Sequence, residues 1–491
     1  MKIHFIFAPP LLKSKIAPLW EAALPPLGVM YLASYLRKEE PWIDLRVTDG
    51  LLRGMHQTIE DVKAFGPDIL CFSFFTGSAL GAYHLINKLN AEIPNLFIIA
   101  GGPHATAIPQ DTLTKSKASV VVRGEGEQIL TELVRFYAKR GKPSSDDLLS
   151  IQGIAFLNKN NQLIITPSPS LEPNLDKYPF PSWDLIPIKE YRGYHLCQQK
   201  PEFPILFSRG CPHDCVFCPN EHWNLSKPKV RFRSPQNIVK EMEELVRNYG
   251  IREFNNLADE LNNHPKIALE TCNEIKHRKL GISWKTMLRS DNVTEDLVLA
   301  MAESGCWLVS LGIETGNPDT LVGIKKHLSH EQIETSCKLF KKYDLKVQGY
   351  FMLFNAWEES GKLLYENCAK SMNTVNYAHR LFDEGLLDYM GWSVTTPYPG
   401  SELYQIAIRH NLLKPQMEDQ WDEWAQNELF VMKFPNCSET DQIRVVRKAQ
   451  TLGAKASILR NGLRLKDIPM MTKTAIFTIR TEISSWHGNT K

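Results

Sequence analysis

The stretch FPILFSRGCPHDCVFCPNEHW, residues 203–223, decides how the rest of the chain is read. An apolar, strand-like run leads through Gly210 into a loop that holds Cys211, Cys215 and Cys218, spaced C-x-x-x-C-x-x-C. Three readings fit such a loop. A zinc site that only holds a fold uses four ligands, and His213 inside the loop would have to supply the fourth. Three buried, inert cysteines are a second reading, but Pro212, His213 and Asp214 make a purely apolar setting a poor explanation. In the third, the thiolates hold three irons of a 4Fe-4S cluster and leave the fourth open. An open metal position is what separates catalytic from structural sites. The loop also follows a strand that begins a βα series, where loops after strands carry chemistry. The third reading fits best.

Downstream, ILFSRG, IREFNNLADE, GISWKTMLRS, CWLVSLGIE, KVQGYFMLF and LDYMGWSVTTP read as strands. NIVKEMEELVRNYG, ALETCNEIKHR, EDLVLAMAESG, IETSCKLFKKYD and KLLYENCAKSM read as helices between them. Six strands fall short of a closed eight-stranded barrel and fit an open, partial (β/α)6 TIM-like barrel. Upstream, KIHFIFA, DLRVTD, PDILCFSF, LFIIAGG and SVVVRGEGE alternate with amphipathic helical stretches. That pattern predicts an α/β, Rossmann- or flavodoxin-like parallel sheet covered on both faces. Ligands of such sheets sit at the carboxyl ends of the strands. Small and polar residues gather there: Ser73 to Gly77, with Thr76; Gly101, Gly102 and His104; Gly124, Glu125 and Gly126. Three such turns point to a bulky ligand across the sheet edge.

The resulting division is 1–140 for the first sheet, 141–199 for a hairpin turning at KNN and a Pro-rich linker, 200–410 for the partial barrel, and 411–491 for a helical extension. Within the extension, residues 453–486 are basic and apolar, which admits peripheral membrane contact; a helical cover on the barrel is the plainer reading. The 57 lysines and arginines nearly balance 55 acids, so no global field points to nucleic acid. A hydrophobic share of 43% is ample for several cores. No run of about 18 apolar residues suggests a membrane span. The start, MKIHFIFAPPLL, reads as a strand and not as a signal peptide. The expectation is a cytoplasmic chain whose ten cysteines are reduced thiols.

The cysteine spacing, with Phe217 before the last cysteine, resembles the radical S-adenosylmethionine (SAM) signature, and the first sheet looks like a cobalamin-binding domain. Together they resemble the cobalamin-dependent radical SAM enzymes, over roughly residues 1–410. The resemblance implies a 4Fe-4S cluster on Cys211, Cys215 and Cys218, with SAM chelating the open iron. It assigns Asp259 and Glu260 to the methionine amino group, Glu314 to the ribose hydroxyls and Gln348 to Tyr350 to the adenine. Arg289 would pair with the SAM carboxylate or with Glu314. Thr395 to Ser401 matches the motif that closes the barrel near the substrate. The cobalamin contacts would come from Ser73, Thr76, Gly77, Gly101, Gly102, His104, Gly124, Glu125 and Gly126.

Two departures matter. In DGLLRG, Asp49 to Gly54, Leu51 fills the slot where many cobalamin domains offer a cobalt-ligating histidine. His104 remains a nominal ligand, better read as a polar contact. LFNAWEESG, Leu353 to Gly361, replaces the family's glycine- and proline-rich turn and blocks transfer of substrate identity. The implied activity is methylation of an unactivated carbon through a 5′-deoxyadenosyl radical and methylcobalamin. The alternatives are radical cyclisation, oxidation or rearrangement without methyl transfer, as in the anaerobic magnesium-protoporphyrin ester cyclase, or a non-catalytic cobalamin- or metal-binding sensor. Implied partners are a small-molecule or lipid-like substrate and a reducing donor such as flavodoxin or ferredoxin.

Overall fold

The computed structural model describes residues 1–11, 24–94, 96–194, 196–219, 225–417, 420–425 and 430–461. Five parallel strands form the first sheet: β1 (Lys2–Phe7), β2 (Asp44–Asp49), β3 (Ile69–Ser73), β4 (Phe97–Gly101) and β5 (Val120–Val122). Their order, β2-β1-β3-β4-β5, is the flavodoxin-like one, with the strand order reversing beside β1 and β3. The buried strands are runs such as ILCFS and FIIAG, apolar on both faces because helices cover both. Helices Leu27–Glu39, Ala79–Glu92 and Glu127–Arg140 fall where the periodicity predicts them.

The hairpin β6 (Ile154–Leu157) and β7 (Leu163–Ile165) extends this sheet antiparallel from β5. Sequence reading grouped it with the linker; its register against β5 makes it the sheet's edge. Asp49 caps helix Gly50–Phe65, its carboxylate accepting from Leu51 N–H at 2.9 Å. DGLLRG is thus a helix start, with Leu51 in its first turn.

The second sheet is parallel throughout. β8 (Glu202–Ile205) opens it, and a short ribbon of β9 (Ser208–Arg209) and β10 (Arg231–Phe232) follows. β11 (Glu253–Asn256), β12 (Ser283–Leu288), β13 (Cys306–Glu314) and β14 (Lys346–Leu353) come next. A two-stranded hairpin, β15 (Ala356–Glu359) and β16 (Lys362–Tyr365), then precedes β17 (Tyr389–Val394). The order β8-β11-β12-β13-β14-β17 is that of a six-stranded open barrel. The hairpin corrects the reading of LFNAWEESG as a loop and of KLLY as helix. Ser360 and Gly361 both take positive φ, as a two-residue hairpin turn with primed geometry requires. The helix begins only at Cys368 and runs to Asp383.

Helix Glu439–Asn461 covers β17 and helix Cys368–Asp383 at the open edge of the barrel. Trp392 stacks on Phe351 at 4.8 Å beneath it, and Gly453 lets the helix approach that indole. Most of the basic, apolar segment 453–486 lies outside the described residues, as do the residues around the end of DQWDEWAQ. Cys368 and Cys437 are joined as a disulfide across a Cα separation of 6.0 Å, correcting the expectation that every cysteine is a free thiol. No helix among the described residues is long and apolar enough to cross a membrane.

Candidate active site

The cysteine loop leaves β9 through Gly210, whose φ of 89° favours glycine. The loop is tied at its centre. Val216 N–H donates to Ile324 O at 3.0 Å, Val216 O accepts from Leu403 N–H at 2.8 Å, and Cys218 N–H donates to Cys215 O at 3.0 Å. Phe217 packs against the barrel core. Two other segments and one internal bond therefore fix a loop that has no regular structure of its own.

Asp259 and Glu260 follow β11 and meet this loop. The Asp259 carboxylate accepts from Gly210 N–H, while Glu260 Oε2 lies 3.1 Å from His213 Nε2. Ligand atoms of Cys211, His213 and Glu260 lie within 4.8 Å of one another. Glu260 is 2% exposed, yet its Oε2 has no partner in hydrogen-bond geometry. A buried carboxylate oxygen left this way is costly without a donor or a cation. The ammonium of SAM is such a partner, so the residues fit the cofactor. Burial pushes the Cys211 thiol up to about 11, with Glu260 and Asp259 adding to the shift. Bound iron has the opposite effect, since a coordinating thiol is deprotonated.

Glu314, at the end of β13, has a φ of 66° and accepts from Lys326 Nζ at 2.7 Å, both side chains being buried. Gly312 lies directly beneath the pair, where a Cβ would displace the Lys326 ammonium and the Glu314 carboxylate. Arg289 pairs with Asp291 at 3.1 Å and donates to the Lys326 carbonyl at 2.7 Å. Glu314 thus has Lys326, and not Arg289, as its cation. Gln348 Oε1 accepts from Ser310 Oγ at 3.3 Å on the inner face of the sheet. Beneath this layer Lys285 donates to Glu202 at 2.9 Å and to Leu196 O at 2.6 Å, and Asn255 also donates to Glu202. Burial raises the Glu202 carboxyl above its usual range. Those pairs close the barrel floor.

At the first sheet, a slot is lined by Phe5, Val29, Leu32 and Leu130 together with Ser73, Gly101, Gly102, Gly124 and Gly126. Crowding enforces one glycine and presses on another. A Cβ on Gly102, at φ 93°, would lie 2.7 Å from Phe74 N, and one on Gly126 would lie 3.1 Å from Leu32. An apolar slot between glycine turns, at the carboxyl ends of β3, β4 and β5, is where such a sheet takes its ligand, and its lining suits part of a cobalamin.

Four further expected contacts do not line this slot. His104 is 1% exposed, with Nε2 3.0 Å from Tyr83 OH, Nδ1 3.2 Å from Thr76 Oγ1 and Trp421 against its edge. Both ring nitrogens are engaged by neighbours in the same domain, as a polar contact and not a metal ligand would have them. Thr76 is spent on His104, Gly77 sits in the short 3-10 turn Thr76–Ser78, and the Glu125 carboxylate turns toward Arg209 and Arg231. Lys326, Arg209 and Arg231 went unrecognised in the sequence. Arg209 has the one usable signal, a cation two residues before the first cysteine.

Known proteins accord with this geometry. The sequence model of the Radical SAM superfamily matches residues 205–359, and that of the B12 binding domain matches residues 21–134. The protein named "Uncharacterized methyltransferase PH0819", from Pyrococcus horikoshii, is 31% identical over 473 residues, covering 95% of each chain. The chain belongs to the cobalamin-dependent radical SAM enzymes. Another member of this family, the anaerobic magnesium-protoporphyrin IX monomethyl ester cyclase of Rubrivivax gelatinosus, is 27% identical, covering 78% of this chain and 66% of its own. The methyltransferase TsrM from Kitasatospora setae, solved with tryptophan substrate and a SAM analogue, superimposes with a TM-score of 0.68. That match covers 95% of this chain and 89% of TsrM at 16% identity, a likeness of fold. The family's cofactors are a 4Fe-4S cluster, SAM and cobalamin.

Proposed function

We infer that this radical SAM enzyme is a C-methyltransferase acting on an unactivated carbon of a small molecule. When bound, the cluster and SAM supply a carbon-centred radical and cobalamin supplies a methyl group. The chain's own residues hold and shield these groups. Cys211, Cys215 and Cys218 would hold the cluster; Glu260 and Asp259 would receive the SAM ammonium; Glu314, oriented by Lys326, would take the ribose. The Lys285–Glu202 floor excludes water from below. The observation that carries the reading is the full-length match to a protein named a methyltransferase, whereas the cyclase is covered over only 66% of its length. The occupied nitrogens of His104 and Leu51 in the usual ligand slot support a corrin whose cobalt takes no histidine from either position.

Phe75, Leu257, Met287 and Tyr350 are large apolar side chains left exposed near the carboxyl ends of strands in the two sheets. They support a substrate with an apolar body, including a lipid-like one. A flavodoxin- or ferredoxin-class donor and a cytoplasmic location complete the reading. Incubation with methyl-labelled SAM under reducing, anaerobic conditions tests it. Label in the product is expected. Deoxyadenosine without label would favour cyclisation or oxidation, and absence of deoxyadenosine would favour a sensor.

A further inference from the structure

The turn Gly124–Gly126, which lines the cobalamin slot, and β9, which leads into Cys211, are joined by buried charges. Arg209 Nη1 lies 3.1 Å from Glu125 and 2.7 Å from Glu127. Arg231, on the paired strand β10, also bonds Glu125 and the Glu172 carbonyl. The Arg209 guanidinium is held between the rings of Tyr31 and Tyr178, 4.9 Å from each centroid. Tyr31 belongs to helix Leu27–Glu39 of the first sheet, and Tyr178 to the linker. Arg233 extends the cluster, pairing with Glu241 at 2.5 Å and reaching Tyr31 OH at 3.5 Å. Immediately beyond Arg209, Gly210 N–H meets Asp259. One continuous set of contacts thus runs from the glycine-lined slot of the first sheet to the first cysteine of the loop and the acids beside it.

Burying several charges is a poor way to gain stability, because desolvation offsets most of the attraction. What such a cluster provides is registry: each guanidinium fork fits its carboxylates in one arrangement only. An apolar contact of equal area would tolerate sliding.

We propose that Arg209, with Arg231, is a positioning residue that fixes the separation and orientation of the cobalamin and cluster cradles. The inference rests on the methyl-transfer reading, in which the substrate carbon must face first the radical and then the methyl donor. A displacement on the order of 1 Å in such an arrangement costs about a hundredfold in rate.

The test uses the full chain reconstituted with iron, sulfide and hydroxocobalamin. Arg209→Gln, Arg209→Lys and Glu127→Gln are compared with wild type, with cofactor content measured in each. The main readout is the magnetic interaction between the cobalt(II) corrin and the reduced cluster in electron paramagnetic resonance, which reports their distance and its spread. Wild type is expected to give one narrow interaction. Arg209→Gln is expected to broaden it at unchanged cofactor content, and to raise the deoxyadenosine formed per methyl transferred by about tenfold, since misplacement penalises the second step. Arg209→Lys should fall between, because a single ammonium does not reproduce the fork. An Arg209→Gln enzyme with the wild-type interaction and ratio overturns the proposal. Should that variant fail to fold, Glu127→Gln loosens the same bridge from the other side, and the same two results decide. A wild type that transfers no methyl, but whose magnetic interaction depends on Arg209, leaves the positioning role standing and sinks the methyltransferase reading.

Discussion

The two cofactor cradles are built by opposite means. The slot of the first sheet, proposed for cobalamin, is made by removal: glycines at 101, 102, 124 and 126 clear space between apolar walls, and its titratable neighbours are turned away into other contacts. The site proposed for the cluster and SAM is made by addition, with three cysteines, Asp259, Glu260, Glu314, Lys326 and Arg289 gathered from five separate segments. The difference follows from the ligands. A large, flat corrin with a long tail is held over much surface by shape and backbone, whereas a small cationic cofactor on an iron is held by a few charges.

Removing a cluster ligand should have the largest effect. Cys218→Ala is expected to abolish SAM cleavage and the iron–sulfur absorbance while leaving cobalamin bound, as read by metal analysis. Gly126→Leu should fill the slot and abolish cobalamin binding at any practical concentration, with the cluster retained; corrin absorbance after gel filtration measures it.

Asp49 gives a pH test on the cobalamin side. Burial raises its carboxyl from 3.8 to about 6. The folded state therefore binds the proton more tightly than the unfolded chain. The associated stability is fully present below pH 3.8 and is lost as pH rises through about 6, by about 3 kcal/mol. Asp49→Asn keeps one acceptor oxygen, for Leu51 N–H, and its amide N–H can donate to the Tyr191 hydroxyl oxygen in place of the bond which that hydroxyl now donates to Asp49. It should flatten the stability–pH slope over that window in denaturant titrations; an unchanged slope would refute the assignment.

Glu260→Gln removes a charge-assisted bond of about 1.5–3 kcal/mol, so the SAM dissociation constant should rise about 10–100-fold with the cluster intact. A smaller change would mean that shape, not charge, holds SAM. The least effect is expected at Asp214, beside the cysteines but paired with His327 in an exposed position at 3.0 Å. Asp214→Ala should cost less than about 1 kcal/mol in thermal or chemical melts.

Most of the fold was legible because its elements carry their own periodicity. DLRVTD, LGVMYLASYLRKE and ALGAYHLINKLNAE form the strand and helices that they spell. The hairpin at 356–365 was missed because KLLY has no strand alternation; only the Ser360–Gly361 pair marked the turn. In the candidate site, motifs already put the cysteines, Asp259, Glu260, Glu314 and the glycine turns at or just after strand ends, where the structure has them. Lys326 was not, since its pairing with Glu314 depends on how the loop after helix Pro318–Gly323 folds back. The direction of His104 was unreadable for a related reason. The turn is at the slot, but the side chain leaves on the other face, and a sequence does not say which way a turn residue points.

The contrast between the cradles is tested most directly by measuring iron, sulfide and corrin content side by side in Cys218→Ala and Gly126→Leu. Each variant should lose one cofactor and keep the other at the wild-type level. Loss of both cofactors in either variant would contradict the account of two cradles built independently and joined only by position.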